Sequence, residues 1–362
     1  MLRVLFLAPY PEQAASTRFR ATQFFPYLRE HGVHCDLSSL LTAEQFGTFY
    51  SRRGRVGKAR SLLTGAIQQT LRTLTARHYD IVVVQRGALL FGPPVLEWLV
   101  AKTSGASLVF DFDDAIWLAD PVSAWGWLAR ATKFPSKVAH IVRLASHVIV
   151  CNSYTRDYAR QFKPADAVSV IPTVVDADIF APATRRETGV PVVGWIGTHS
   201  TAQYLDAIIE PLRQVRAKHE FILKIVGSGR DWLVPGLDIL AQPWTLETET
   251  NDYQSLDIGL YPVRDDEWGH GKTGFKPVVY MATGAACVAS PVGGVLEFLR
   301  HGRNGFLASS RNEWRDSVSA LLEDHGLRRR IASEARTTVT DWYCLRVQAP
   351  RLLSILERTA GG

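Results

Sequence analysis

Residues 268–306 read WGHGKTGFKPVVYMATGAACVASPVGGVLEFLRHGRNGF, and the fold turns on how this stretch divides. Gly269, Gly271 and Gly274 lack Cβ, so the backbone around Lys272 is free to turn sharply and to approach a ligand closely. The pattern that follows predicts a helix over 276–282. The first N–H groups of such a helix are unpaired and carry partial positive charge; with Lys272 and Lys276 beside them they make an anion site that suits a diphosphate. The plainer alternative is that both lysines are solvated surface residues. Gly284 stops the helix and 285–290 reads as a short buried strand. Pro291, Gly293 and Gly294 then make a second tight turn, which brings Glu297 back near the first loop.

This order of helix, strand, glycine pair and glutamate resembles the C-terminal donor site of glycosyltransferase family 4, the retaining enzymes of the GT-B fold. That family writes Glu-x-Phe-Gly, four residues, Glu-Ala-Met-Ala-x-Gly-x-Pro-Val-x-Ala-Ser and then Gly-Gly-x-x-Glu. Gly274, Met281, Ala282, Gly284, Val288, Ala289, Ser290, Gly293, Gly294, Glu297, Gly302 and Gly305 keep step with it. Gly271 and Val279 stand where its paired glutamates fall, which leaves open the family's contacts to the donor sugar and the ribose. The Gly-Lys-x-Gly-Phe-Lys form resembles a subgroup that has exchanged carboxylates for lysines. On this resemblance Gly271, Thr273, Gly274, Phe275 and Glu297 bind the donor, while Lys272 and Lys276 are catalytic and neutralise a leaving diphosphate.

At 362 residues the chain is too long for one ordinary core and suits two domains. The resemblance implies an α/β architecture of two Rossmann-like domains facing across a cleft: 1–182 for the acceptor, 190–340 for the nucleotide sugar, and 341–362 as a final helix crossing back to the first. Composition is 46% apolar and 21% charged, and no apolar run approaches the roughly 18–20 residues of a spanning helix. Residues 4–10 are too short for a signal-peptide core and run into Pro11-Glu12-Gln13 with no cleavage pattern, so a cytoplasmic location is expected. Cys35, Cys151, Cys287 and Cys344 are scattered, as buried thiols in a reducing compartment would be. A net charge of +6 favours anionic partners. Nucleic acid is set aside, because the basic residues lack an interleaved aromatic strand motif.

In the N-terminal half, apolar runs at 3–8, 33–37, 81–85, 107–111, 147–151 and 168–171 alternate with helical patterns, the mark of a parallel sheet wrapped by helices. Ligands of such sheets bind at the carboxyl ends of the strands, so the informative residues follow each strand. After the first, a helix is expected to run to Gly32, capped by Ser16 or Thr17, with Arg18 and Arg20 at the rim as acceptor contacts. Arg18 reads equally as an exposed arginine at a helix start. Residues 108–115, LVFDFDDA, end a buried strand in Asp111, Asp113 and Asp114. Three carboxylates suit a hard cation, but GT-B enzymes generally do without one, so no metal or other cofactor is expected. Asp113 stands where the family often has a histidine and is assigned to a sugar or acceptor hydroxyl, as general base where within hydrogen-bond reach. Asp114 is placed with the acceptor; the alternative for any of the three is a helix cap. Trp117, Trp125 and Trp127 make either an acceptor platform or a lid packed on its own domain. Cys151-Asn152-Ser153-Tyr154 follows a strand, caps a further helix and resembles the family's Asn-Ser position, and residues 171–176 match the family's hinge.

Residues 51–78 contain Gly-Arg-Val-Gly-Lys, but the spacing of a phosphate loop fails at Arg52 and at Ala59. Val56, Ala59, Leu62, Leu63, Ala66, Ile67, Leu71 and Leu74 recur at helical spacing between basic flanks. Such a helix either covers its own sheet or, over 52–77, lies on an anionic membrane surface at the inner face.

In the C-terminal half, 192–197 is a strand ending in glycine, and Thr198, His199 and Ser200 occupy a turn that makes a second anion site. Gly197 belongs to that turn and Gly227 to the one after the next strand; Pro243 and Trp244 follow the strand which, in the family, holds the nucleobase by backbone groups. The function implied is transfer of a sugar, with retention, from a nucleotide sugar to a glycan, lipid-linked or small-molecule acceptor in cell-surface polysaccharide or glycolipid synthesis. An accessory binding protein of the same fold, and a GT-B epimerase or phosphorylase, remain as alternatives.

Overall fold

The computed structural model describes residues 1–49, 55–118, 134, 136–183 and 189–361. The chain divides into two compact units, residues 1–173 with 348–362, and residues 174–347.

The first unit is a six-stranded sheet of β1 (Leu2–Ala8), β2 (Val33–Ser39), β3 (Ile81–Gln85), β4 (Ser107–Phe112), β5 (His147–Val150) and β6 (Val168–Val170), in the order β2-β1-β3-β4-β5-β6. Every pairing is parallel. Helices cover such a sheet on both faces, which is why β3 reads as an unbroken buried run. Val82, Val84, Leu108 and Phe110 pack on Leu96, Val100, Ile141 and Val142 of the Val95–Thr103 and Lys137–Leu144 helices. Of the four residues expected to cap the Ser153–Arg160 helix, Asn152 does so, its Oδ1 accepting from the Thr155 N–H at 2.9 Å.

The helix expected from 16 to 32 is broken into Ala15–Arg20, a 3-10 turn at Thr22–Phe24 and Phe25–Glu30, the last with Pro26 in its first turn. Its N-cap is Ala14, not Ser16 or Thr17; the Thr17 hydroxyl instead donates to the Tyr10 carbonyl at 2.9 Å, closing the turn after β1.

The second unit holds β7 (Val192–Ile196), β8 (Ile222–Val226), β9 (Ile239–Gln242), β10 (Ile258–Tyr261), β11 (Ala286–Ala289) and the short β12 (Phe306–Leu307), in the order β12-β11-β10-β7-β8-β9. All are parallel. The order reverses between β7 and β10, and these two share only the Val193–Ile258 and Gly194–Gly259 registers. Beyond that point the strands are joined by a side chain: the Tyr280 hydroxyl accepts from the Ile196 N–H at 3.0 Å and donates to the Leu260 carbonyl at 3.3 Å. The Tyr280 ring lies against Gly259, where a Cβ would overlap it.

Sequence put the boundaries at 182, 190 and 341, whereas the units divide after Thr173 and after Val347. Residues 174–181 are tied to the second unit because Val175 bridges to Cys344 and Arg336 donates to the carbonyls of Ala177 and Phe180. The last helix, Leu345–Ala360, passes into the first unit at Gln348; Arg351 reaches the Val170 carbonyl and the Ser107 hydroxyl donates to that of Thr359. All four cysteines are buried and unpaired.

Candidate active site

The crevice at the β7–β10 reversal is where ligands of open parallel sheets bind, outside the carboxyl ends of the strands. After β7, Gly197, Thr198, His199 and Ser200 turn tightly: the Thr201 N–H donates to the Thr198 carbonyl at 3.0 Å and the Thr198 and Ser200 hydroxyls share a hydrogen bond of 2.9 Å. A 3-10 helix, Ala202–Ala207, follows this turn and leads into the Ile209–Arg216 helix. After β10, the Glu267–His270 turn leads into Gly271, Lys272 and Thr273, and the Phe275–Ala282 helix begins one residue earlier than predicted. Gly274 is its N-cap at φ +75°, a conformation few other residues adopt, and Thr273 Oγ1 accepts from the Phe275 N–H at 3.1 Å.

From the second residue of that helix Lys276 reaches across the crevice. Its ammonium donates to Thr201 Oγ1 at 3.2 Å and lies 4.7 Å from the centroid of the Trp195 ring. A Cβ on Gly197 would overlap both the Trp195 ring and this ammonium, so the glycine is what lets the lysine in. Desolvation, and after it the charge of Lys272, pushes the Lys276 pKa down to about 7; the indole face beneath opposes this by favouring the cation. Lys272 stands over the Trp268 ring at 4.6 Å. The two lysines converge on one space, and no carboxylate among the described residues pairs with Lys276.

The rest of the rim is built by backbone approach. A Cβ on Gly227 would overlap the Gly197 carbonyl, and its own N–H donates to the Gln242 carbonyl at 2.9 Å. Trp244 packs beside it and donates to Glu249 at 3.2 Å, while Pro243 is exposed. Asp252 accepts from Lys224 at 2.7 Å and from Gln242 at 2.6 Å, fastening the end of β9 to β8. The Gly294 N–H donates to the Lys272 carbonyl at 2.8 Å, so the second tight turn does lean on the first loop, with Glu297 exposed on the short Val295–Phe298 helix. Gly194 is not part of this anion site: it lies within β7 and makes room for Leu256.

In the first unit Arg20 and Arg86, which follow β1 and β3, meet the carboxylates at the end of β4. Arg20 is not at a rim. It is buried, with its guanidinium bidentate to Asp111 at 3.1 and 2.5 Å and donating to the Ile171 carbonyl at 2.6 Å. That commits both Asp111 oxygens and removes it from any cation set. Arg18 is half-buried with its guanidinium over the Phe19 ring at 4.6 Å. Asp113 and Asp114 are brought together by a residue that sequence reading missed: Arg86 lies 3.4 Å from each. Arg86 directly follows β3 at φ +58°, a strained backbone for a non-glycine residue, and its N–H donates to the Asp111 carbonyl at 2.7 Å. A charged residue set straight after the apolar run 81–85 was the available signal. Trp117 has one face taken by Tyr158, stacked at 3.7 Å, so it packs on its own domain; Trp125 and Trp127 lie outside the described residues.

Residues 190–324 match the family model described as group 1 glycosyl transferases. The matched stretch lies wholly within the second unit. A D-inositol 3-phosphate glycosyltransferase of Xylanimonas cellulosilytica is 25% identical over 199 residues, covering 47% of this chain and 46% of that protein, so the match spans about half the length of that relative. Two solved structures are similar along nearly the whole chain. The sucrose-phosphate synthase of Thermosynechococcus elongatus superposes with a TM-score of 0.69 at 13% identity, covering 99% of both chains. The Anabaena protein HepE, in complex with UDP and glucose, superposes at 0.66 with 17% identity, again covering 99% of both. The two parallel-sheet units are thus the two Rossmann-like domains of the GT-B fold.

Proposed function

We propose that the protein is a retaining glycosyltransferase of family 4 type. In this reading it moves a hexosyl group from a nucleotide sugar to a glycan, lipid-linked or small-molecule acceptor, without a metal ion, in cell-surface polysaccharide or glycolipid synthesis in the cytoplasm. The observation that carries the reading is the Lys276 ammonium, delivered by a helix start onto the Thr201 hydroxyl at 3.2 Å, across the strand-order reversal. As the bond from the sugar carbon to the diphosphate breaks, negative charge grows on the leaving oxygen. Lys276, Lys272 and the N–H groups at the start of the Phe275–Ala282 helix would lie ready for it without reorganising. Retention follows when the acceptor oxygen attacks the face the diphosphate is leaving, its proton passing to a diphosphate oxygen. Asp113, Asp114 and Arg18 are assigned to the acceptor, with Asp113 able to take a hydroxyl proton if Arg86 releases it.

One observation favours a second reading, a GT-B protein that binds a nucleotide sugar without transferring it. Val279, at one of the family's glutamate positions, is fully buried in its helix and offers the ribose nothing. Calorimetric titration with UDP, GDP and ADP, then with the sugar nucleotides of whichever base binds, separates the readings. Saturable binding lost in Lys276→Ala, with sugar transfer or slow donor hydrolysis, supports the transferase. Binding with neither supports the accessory protein. Donor conversion without an acceptor would mean an epimerase, and consumption of free phosphate a phosphorylase.

A further inference from the structure

The Arg55–Leu74 helix is amphipathic in the opposite sense to a helix that covers its own sheet. The face turned to the sheet carries Ser61, Gly65, Gln69 and Thr73, four residues at i, i+4 spacing, all buried. Gly65 sits so close to the Leu40 carbonyl that a Cβ would overlap it. Gln69 is fully buried: its amide donates to the carbonyls of Ala8 and Ser38 at 3.1 Å each and accepts from the Ser38 hydroxyl at 3.0 Å. These bonds hold the helix in one rotation. The opposite stripe is Leu63, Ile67, Leu71 and Leu74, exposed by 64, 54, 60 and 62%. At 1.5 Å per residue it is about 16 Å long.

Charge identifies what this stripe meets. Residues 51–79 contain Arg52, Arg53, Arg55, Lys58, Arg60, Arg72 and Arg77 and not one aspartate or glutamate. Arg60 is exposed beside the stripe, whereas Arg72, three residues after Gln69, is exposed on the side towards Asp36. An apolar strip with basic flanks matches the headgroup boundary of an anionic bilayer, where the leucines enter the acyl region and the guanidiniums stay with lipid phosphates. A second copy of this helix would bring like charges together. No described helix is long and apolar enough to cross a membrane, so the contact is a peripheral one.

We propose that the 63–74 stripe is a docking surface by which the first unit lies on an anionic lipid bilayer. This goes beyond the transfer reaction and stands or falls independently of it.

The experiment is flotation of the whole protein with vesicles of phosphatidylcholine alone and of phosphatidylcholine with about one-third phosphatidylglycerol. The wild type is expected to float with the anionic vesicles, to be released by high salt, and to stay behind with the neutral ones. Ile67→Asp with Leu71→Asp should lower the bound fraction at least about tenfold, and Arg60→Glu should lower it severalfold, both variants keeping the wild-type thermal transition and nucleotide binding. Wild-type protein that does not float, or variants that float as well as it does, overturns the proposal. So does concentration-dependent self-association of the wild type that the aspartate pair abolishes, which would make the stripe a contact between copies.

Discussion

The two sheets end in crevices of opposite electrical character. In the first unit the cations at the strand ends are paired with carboxylates: Arg20 with Asp111, and Arg86 with Asp113 and Asp114. In the second, Lys276 rests on a hydroxyl and an indole face with another lysine as its nearest charge. A paired cation holds the protein together. A cation left with neutral neighbours holds a deficit that an arriving anion can fill, and its depressed pKa is the trace of that deficit.

The difference predicts opposite results for removing each cation. Arg20→Ala leaves the Asp111 carboxylate buried without a partner and should cost about 3–5 kcal/mol of stability, read as a fall in the denaturant midpoint. Lys276→Ala should lower turnover about 10² to 10³-fold while leaving the midpoint unchanged or raised. If instead the lysine variant unfolds easily and the arginine variant folds well but loses activity, the comparison is inverted and the donor site is misplaced.

The pH dependence sharpens the same contrast. With a native pKa of about 7 against an ordinary value near 10.5, Lys276 is mostly neutral in the free protein at pH 8. The unfolded chain binds more protons than the native one between those values, so this group makes the protein gain stability as pH rises from 7 towards 10.5. A bound diphosphate raises the lysine's pKa, so binding at pH 8 should absorb up to one proton, and affinity should weaken above pH 7. Calorimetry in buffers of different ionisation enthalpy measures the uptake; its persistence in Lys276→Met would assign the proton elsewhere. The smallest effect is expected from Thr201→Val, which removes one hydrogen bond to the ammonium and should weaken diphosphate binding up to about fivefold.

Much of this was legible in the sequence, and the exceptions have physical reasons. Runs such as 81–85 and 192–196 announce strands because both their faces are buried, and the glycine and lysine order of 269–276 announces a loop and a helix start because the backbone there admits few other residues. Arg20 misled, since its position after a strand looks like a rim and its partner lies 91 residues away. Arg86 was overlooked because a charge straight after a strand is common in loops, and the positive φ that accompanies it here is not written in the sequence. The 55–74 helix was read correctly as amphipathic, but periodicity does not say which face turns inward. Gln69 and Gly65 decide that, through contacts with Ala8, Ser38 and Leu40.

The Tyr280 hydroxyl between Ile196 and Leu260 bears on how the sequence of this protein can drift. Phenylalanine at 280 would orphan an amide and a carbonyl at the mouth of the crevice, and any side chain at 259 would push the ring that carries the hydroxyl. Neither position can change first without loss, so the two are expected to be inherited as a pair, and a lineage that abandons one should be found to have rebuilt the other.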